Sequence, residues 1–276
     1  MAADVVWLNG AVVPAAEATV SIFDHGLTVG DGVFETLKAT AGVPFAARRH
    51  LERLRRSADG LGLKVPWTDD DLRAAMEAVL AGLDLPLARV RITVTGGAAP
   101  LGSDRGDGPP TVVVAGGPLA RPAPTTDVCT VPWPRNERGA LAGLKTTSYA
   151  ENVRALAVAK EQGCTEALYA TTTGLLCEGT GANLFLVHEG RLVTPTLASG
   201  CLAGVTRALV LEVTDAVEVD LPAEALAGAS EAFLTSTGRD VQAIAHVDGR
   251  AYDAPGPQTA AAAKALAALE ASNPDP

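Results

Sequence analysis

The sequence predicts an α+β fold in two domains. Predicted strands outnumber predicted helices and do not strictly alternate with them, as a doubly wound sheet would require. The chain has 276 residues, more than one domain usually holds. The stretch from Gly116-Gly117-Pro118 to Pro124 carries three prolines and few large apolar residues, the composition of a linker. We therefore expect a first domain over 1–117, a linker over 118–126 and a second domain over 127–276. With 47% hydrophobic but only 4% aromatic residues, the cores must be largely aliphatic.

Val5-Val6-Trp7-Leu8, Asn9-Gly10, Ala11-Val12-Val13 reads as a hairpin, because Asn-Gly accepts the positive φ of a type I′ turn. The Gly-rich stretch 26–32 leads into Val33-Phe34-Glu35-Thr36-Leu37-Lys38, which alternates as a strand does. From Arg48, Leu51, Leu54, Ala58 and Leu61 recur at three- and four-residue steps, the stripe of an amphipathic helix. Thr68-Asp69-Asp70-Asp71 resembles a capping box and opens a second helix through Leu72, Ala75, Met76, Val79 and Leu80. Strands follow at 89–95 and 111–115. The second domain opens with a strand near 128–131 and a helix over about 149–162. Strands are then expected at 166–170, 175–177, 183–187, 191–194 and 233–235. A helix is expected from Thr206, and another over 259–271.

Lys and Arg number 22 against 32 Asp and Glu, a net charge of −10. That argues against a nucleic-acid or anionic-membrane partner, since the overall electrostatic term would be repulsive. No apolar run reaches bilayer-spanning length, and the N-terminal stretch lacks the pattern of a signal peptide. Cys129, Cys164, Cys177 and Cys201 are scattered, with no Cys-x-x-Cys pair and no clustered histidines. No metal site is expected; four reduced, largely buried thiols in a cytoplasmic protein fit better.

Three segments could carry chemistry. Lys145 ends the apolar, Gly-containing stretch 139–144 and precedes Thr146-Thr147-Ser148. Desolvation there would disfavour its ammonium form, the condition for a nucleophilic amine; an ordinary solvated lysine is the plainer alternative. Glu178 sits between a strand and the small-residue loop Gly179-Thr180-Gly181-Ala182, where backbone can approach a ligand closely. The loop is neither a Walker A loop nor a dinucleotide fingerprint. Gly204-Val205-Thr206-Arg207 opens a helix whose first N–H groups could hold a phosphate, and Ser236-Thr237-Gly238 offers further donors. Spacing alone places Arg53 on a solvated helix face.

In chain order, Gly30-Asp31-Gly32-Val33-Phe34-Glu35-Thr36, His50-x-x-Arg53-Leu54, Lys145, Glu178-Gly179-x-Gly181-x-Asn183-Leu184-Phe185, Gly204-Val205-Thr206-Arg207 and Ser236-Thr237 resemble the class IV aminotransferases. These are the fold-type IV pyridoxal 5′-phosphate enzymes, among them branched-chain and D-amino acid aminotransferases and 4-amino-4-deoxychorismate lyases. The likeness runs from about Ile22 to Val241. It implies a small N-terminal α/β domain, a larger β-rich C-terminal domain and a homodimer, as in the D-amino acid aminotransferases. It implies that Lys145 is the Schiff-base lysine and proton carrier, and that Glu178 partners the ring nitrogen. Arg53, Val205 and Thr206 would hold the phosphate with Thr237 nearby, so Arg53 would turn inward. The implied activity is transfer of an amino group from an amino acid or primary amine to a 2-keto acid, with ping-pong kinetics.

Within the family the substrate is read from fewer residues. Phe34-Glu35-Thr36-Leu37-Lys38 stands where branched-chain enzymes usually read Phe-Glu-Gly-Ile-Arg and D-amino acid enzymes Tyr-Glu-Val-Ile-Arg. Phe34, Thr36, Lys38, Tyr149 and Gly238 are candidate substrate contacts. The loop 96–106 lacks the histidine of typical D-amino acid enzymes and offers Arg105 as its strong cation, a candidate carboxylate ligand or else a solvated residue. The expectation is a transaminase that prefers D-amino acids to branched-chain L-substrates. The alternative is 4-amino-4-deoxychorismate lyase, since many lyase-like members also carry Phe-Glu-Thr. A silent binding protein would need neither Lys145 nor Glu178.

Overall fold

In the computed structural model, which describes residues 4–276, Asn9 and Gly10 take φ of 48° and 101° and turn β1 (Val5–Leu8) into β2 (Ala11–Pro14). This is the expected type I′ hairpin. Met1, Ala2 and Ala3, part of the N-terminal stretch read above, lie outside the described residues. The Gly-rich stretch forms a short helix, α1 (His25–Thr28), capped by the Asp24 carboxylate accepting from the Gly26 N–H. After it come β3 (Gly32–Thr40), β4 (Val43–Pro44), α2 (Ala47–Leu61), α3 (Asp69–Ala81), β5 (Leu87–Thr95) and β6 (Thr111–Pro118).

These strands make one antiparallel sheet of order β2-β1-β6-β5-β3-β4. Val33, Leu37, Val90, Ile92, Val94, Val112 and Val114 point from one face into a buried cluster with Leu51 and Leu54 of α2 and Leu72, Met76 and Val79 of α3. Truncating a leucine packed like Leu51 or Leu54 costs about 2–5 kcal/mol. The capping box forms, Thr68 and Asp71 each accepting from the other's backbone N–H. Helix α2 ends where Gly62, at φ 68°, donates back to the Ala58 and Asp59 carbonyls, a left-handed turn that suits glycine.

The chain divides into two units. The first holds the residues up to Ala120 together with Leu144–Tyr149 and Asn273–Pro276; the second holds Arg121–Gly143 and Ala150–Ser272. Sequence reasoning assigned Lys145 to the second domain, but its segment folds with the first. The Phe34 N–H donates to the Lys145 carbonyl (3.1 Å), the Thr147 N–H to the Gly32 carbonyl (2.7 Å) and the Lys145 N–H to Ser57 Oγ (3.1 Å). These bonds tie the segment to β3 and α2.

The second unit contains β7 (Thr125–Thr130), α4 (Ala150–Glu161), β8 (Glu166–Ala170), β9 (Leu176–Gly179), β10 (Asn183–His188), β11 (Arg191–Thr194), α5 (Val205–Val213), β12 (Val217–Glu218), β13 (Glu231–Ser236), β14 (Asp240–Val247), β15 (Arg250–Ala251) and α6 (Pro257–Ser272). Its sheet runs β12-β11-β10-β13-β14-β7-β8-β9, and β9 pairs back to β10 at Glu178–Asn183, so six strands close into a ring. Helix α4 makes the crossover that the parallel pair β7–β8 requires. Val128, Leu168, Leu176, Leu184, Leu186, Leu234 and Ile244 form a buried core, beside stacked Phe185 and Phe233. No helix among the described residues is long and apolar enough to cross a membrane.

Cys129, Cys177 and Cys201 are buried free thiols and Cys164 is half-buried. Burial pushes the Cys129 and Cys201 thiols up to about 11 and the Cys177 thiol higher still, which removes the reactive thiolate. A thiol reagent at neutral pH should therefore label Cys164 slowly in the native protein and all four cysteines after denaturation. Early labelling of Cys177 would contradict this packing.

Candidate active site

The sequence-predicted site residues fall into two sets. Phe34, Thr36, Lys38, Arg53, Arg105, Lys145 and Tyr149 belong to the first unit; Glu178, Val205, Thr206, Thr237 and Gly238 belong to the second.

Alternation along β3 sends Glu35 toward α2 and Phe34, Thr36 and Lys38 to the opposite sheet face. Glu35 is fully buried and accepts two hydrogen bonds from Arg53, Nε and Nη2 each at 2.7 Å. His50 Nδ1 adds a third contact at 2.7 Å. Burial alone would raise the Glu35 carboxyl, but the charge and hydrogen bonds of Arg53, helped by His50, outweigh it and hold the group far below the usual carboxylate range. His50 is pushed the other way by burial, below its ordinary 6.5, so the cluster holds one negative and one positive charge at neutral pH. Arg53 is thus buried, as the resemblance implied and as helix periodicity alone did not suggest. The apolar stripe it interrupts tolerates it because Glu35 lies opposite.

Lys145 presents its amine 4.3 Å from the centre of the Phe34 ring and 3.5 Å from the Tyr149 hydroxyl. Phe34 and Tyr149 meet edge to face, centroids 5.1 Å apart. A half-buried primary amine between two aromatic rings and beside a hydroxyl can attack a carbonyl and carry protons. The structure adds Arg91, on the strand expected over 89–95. Its register partner is Thr36, and its guanidinium stacks 3.6 Å over Phe34. The signal was available: in a sheet with one buried face, Arg89 and Arg91 must share the face of Phe34, Thr36 and Lys38. Lys38 is buried there, with its ammonium 5.5 Å over the Phe45 ring.

Arg105 is engaged by its own unit. It donates twice to Asp31, both bonds at 2.7 Å, and to the Gly62 and Leu61 carbonyls at 2.7 and 2.9 Å. The last two are orphan acceptors at the end of α2, so Arg105 staples its loop to that helix. A substrate carboxylate would have to displace Asp31.

In the second unit Glu178 stands where the strand ring closes. Its Oε2 accepts from the Leu202 N–H at 2.9 Å, and Asn183, its cross-strand partner, donates Nδ2 to the Leu202 carbonyl at 2.8 Å. Both backbone groups of Leu202 are thereby held, which fixes the approach to α5. Gly204 follows, and a Cβ there would come within 2.0 Å of Asn183 Oδ1. Gly204 has no side chain to cap α5, so the first-turn N–H groups and the Thr206 hydroxyl remain as donors suited to an anion. Arg207, next in the motif, turns away to the Pro195 carbonyl and Glu218. The 179–182 loop rests on Glu166, which accepts from the Thr180 N–H at 2.9 Å and from its hydroxyl. Thr237 and Gly238 lie in the turn between β13 and β14.

These donors suit pyridoxal 5′-phosphate. An amine and a buried arginine are present in one unit, and a carboxylate and an uncapped helix start in the other. Thr235, the strand neighbour of Asn183, keeps a buried hydroxyl without a hydrogen-bond partner, as does the Nε of Arg135 close to Glu178. Among the described residues no group of His, Cys, Asp and Glu could hold a metal ion.

The chain matches the amino-transferase class IV family over residues 32–247. A protein named putative branched-chain-amino-acid aminotransferase from Methanocaldococcus jannaschii is 34% identical over 255 residues, covering 89% of this chain and 88% of that one. The crystal structure of branched-chain aminotransferase from Thermoproteus uzoniensis with norvaline aligns at a TM-score of 0.91 and 29% identity, over 97% of this chain and 94% of that one. The T.th. branched-chain amino acid aminotransferase complexed with N-(5′-phosphopyridoxyl)-L-glutamate aligns at 0.88 and 28% identity, over 99% and 95%. This chain therefore belongs to the class IV aminotransferases, α+β enzymes of fold type IV that use pyridoxal 5′-phosphate.

Proposed function

We propose that this aminotransferase moves the amino group of aliphatic amino acids to 2-oxoglutarate. The observation that carries the reading is the Lys145 amine held over Phe34 beside the Tyr149 hydroxyl. The names of the relatives support the donor class, and the glutamate adduct of the T.th. protein supports the acceptor. The expected preference for D-amino acids finds no support in these relatives, and the cation on which it could have rested, Arg105, is bound to Asp31.

By the likeness to the class IV aminotransferases, Arg53, Val205, Thr206 and Thr237 would hold the phosphate and Lys145 the aldehyde carbon. When bound, the cofactor supplies an electron-withdrawing ring that acidifies the substrate's α-carbon. Glu178 would keep a proton on the ring nitrogen, because a carboxylate favours a cation beside it. The Lys145 amine would carry the substrate's α-proton as general base and acid, with the Tyr149 hydroxyl orienting the amine and Phe34 keeping water off it. Arg91, lying against Phe34, attracts the carboxylates of amino and keto acids.

Thr36 narrows the substrate face where it stands opposite Arg91. Thr36→Gly should raise kcat/KM for leucine relative to alanine about tenfold, the scale of one or two methylenes in an apolar pocket. An unchanged ratio would remove Thr36 from the pocket. The function itself is tested by giving the purified enzyme L-leucine or L-norvaline with 2-oxoglutarate, D-alanine with 2-oxoglutarate, and aminodeoxychorismate alone. Transfer from the L-amino acids supports the reading. Release of p-aminobenzoate and pyruvate without an acceptor would replace it with the lyase.

The homodimer is proposed on the same footing. Ile22, Leu27 and Leu101 are 73%, 69% and 74% exposed, and a backbone bridge from Asp24 to Ala98 links their segments. Such a patch suits burial against a second copy. Sedimentation should give twice the 28.1 kDa chain mass, and Leu27→Asp should shift it toward the monomer.

A further inference from the structure

Arg135 serves none of the roles assigned so far, yet it is built into the second unit from several sides. Its backbone N–H donates to the Ala170 carbonyl at 2.8 Å. Its guanidinium lies 4.2 Å over the Tyr169 ring, donates from Nη1 to Asn152 Oδ1 at 3.2 Å, and stands 3.7 Å from Glu151 Oε2. The Nε–H is buried, has no hydrogen-bond partner, and lies 3.7 Å from Glu178 Oε1. That is too far for a hydrogen bond and close enough for charge to act strongly in a water-poor setting. The contrast with Glu35 is informative. There, two 2.7 Å bonds from Arg53 lock the carboxylate into the fold. At Glu178 the arginine supplies its field and no hydrogen bond through Nε.

We propose that Arg135 is a positioning residue for Glu178: its charge makes the carboxylate a weak base, so that the proton shared with the cofactor's ring nitrogen rests on the nitrogen. The inference rests on the reading that Glu178 faces that nitrogen. A carboxylate left alone in a half-buried site gains proton affinity and would draw the proton to itself, leaving a neutral ring that withdraws electrons poorly. The other groups around Arg135 do not cancel its effect. Glu151 is 79% exposed, so water screens it. Burial pushes the Tyr169 hydroxyl up to about 12, which keeps that ring uncharged. Glu166 is engaged by Thr180 and by Arg239, the latter at 3.4 Å.

The test uses holoenzyme loaded with ring-15N-labelled cofactor, and reads the ring-nitrogen resonance with kcat and KM. In the parent enzyme the resonance should lie at the pyridinium position, and Glu178→Gln should move it toward unprotonated pyridine. Arg135→Met should move it the same way and lower kcat about tenfold, one decade of proton affinity, with KM for the amino donor little changed. Arg135→Lys, which keeps the charge, should restore most of both. Arg135→Gln, which keeps a donor for Asn152 but no charge, should behave like Arg135→Met and covers the case in which methionine disturbs folding. If Glu178→Gln moves the resonance and the neutral Arg135 variants do not, the role of Arg135 is overturned while that of Glu178 stands. If none moves it, both fall.

Discussion

Lys145→Ala should reduce transamination by roughly a millionfold, the scale on which removing the nucleophile of a covalent mechanism acts. In the proposed function this amine is the one group of the segment that both bonds the cofactor and carries the α-proton. The loss should leave the fold intact, because the segment is held by its backbone. The bonds from Phe34 N–H to the Lys145 carbonyl, from Lys145 N–H to Ser57 and from Thr147 N–H to Gly32 all survive truncation of the side chain. Circular dichroism and thermal unfolding should match the parent, and the absorption band of lysine-bound cofactor should be missing. Residual turnover within tenfold of the parent would mean that another group does the work.

Glu35→Gln should have the largest effect on stability. The carboxylate is wholly buried against Arg53 and His50, and removing one partner of a buried pair strands the other charge, at about 3–5 kcal/mol. For a chain of this size that lowers Tm by about 10 °C. Its pH dependence has a definite sign. Glu35 titrates near 4.5 when unfolded and far lower when folded. Its stabilisation is present above 4.5 and is lost as pH falls further, where the unfolded chain binds a proton that the folded chain refuses. His50 acts in the same direction from a higher start. Burial lowers it below 6.5, so acidification past 6.5 already favours the unfolded chain. Melting curves across this range should show Tm falling from about pH 6.5, with a steeper limb under 4.5 that Glu35→Gln lacks. A Tm independent of pH down to 4.5 would contradict the buried network.

Much of this was legible in the sequence, for reasons that differ by residue. The Asn9-Gly10 hairpin, the α2 stripe and the Thr68 capping box are local signals, and each formed where its chemistry pointed. Lys145 and Glu178 were singled out by residue type and setting. Arg53 was not, because helix periodicity assigns a charged residue to solvent unless its partner is known, and that partner is 18 residues away on β3. Arg135 was missed for the same reason. Its significance comes from Tyr169, Asn152 and Glu178, which reach it only through the folding of β8, α4 and β9. Strand β14 escaped notice because Gln242 and His246 break its apolar pattern; the fold buries Gln242 by offering it the Ala123 carbonyl at 2.8 Å. Arg105 was judged by its charge, whereas the Asp31 side chain and the exposed carbonyls at the end of α2 decided its place.

In the proposed function one amine, that of Lys145, holds the cofactor covalently. Reducing the reconstituted protein with borohydride, digesting it and mapping the modified peptide by mass tests this directly. A single phosphopyridoxyl adduct should map to the peptide containing Lys145. An adduct confined to another lysine, or none after full reconstitution, would contradict it.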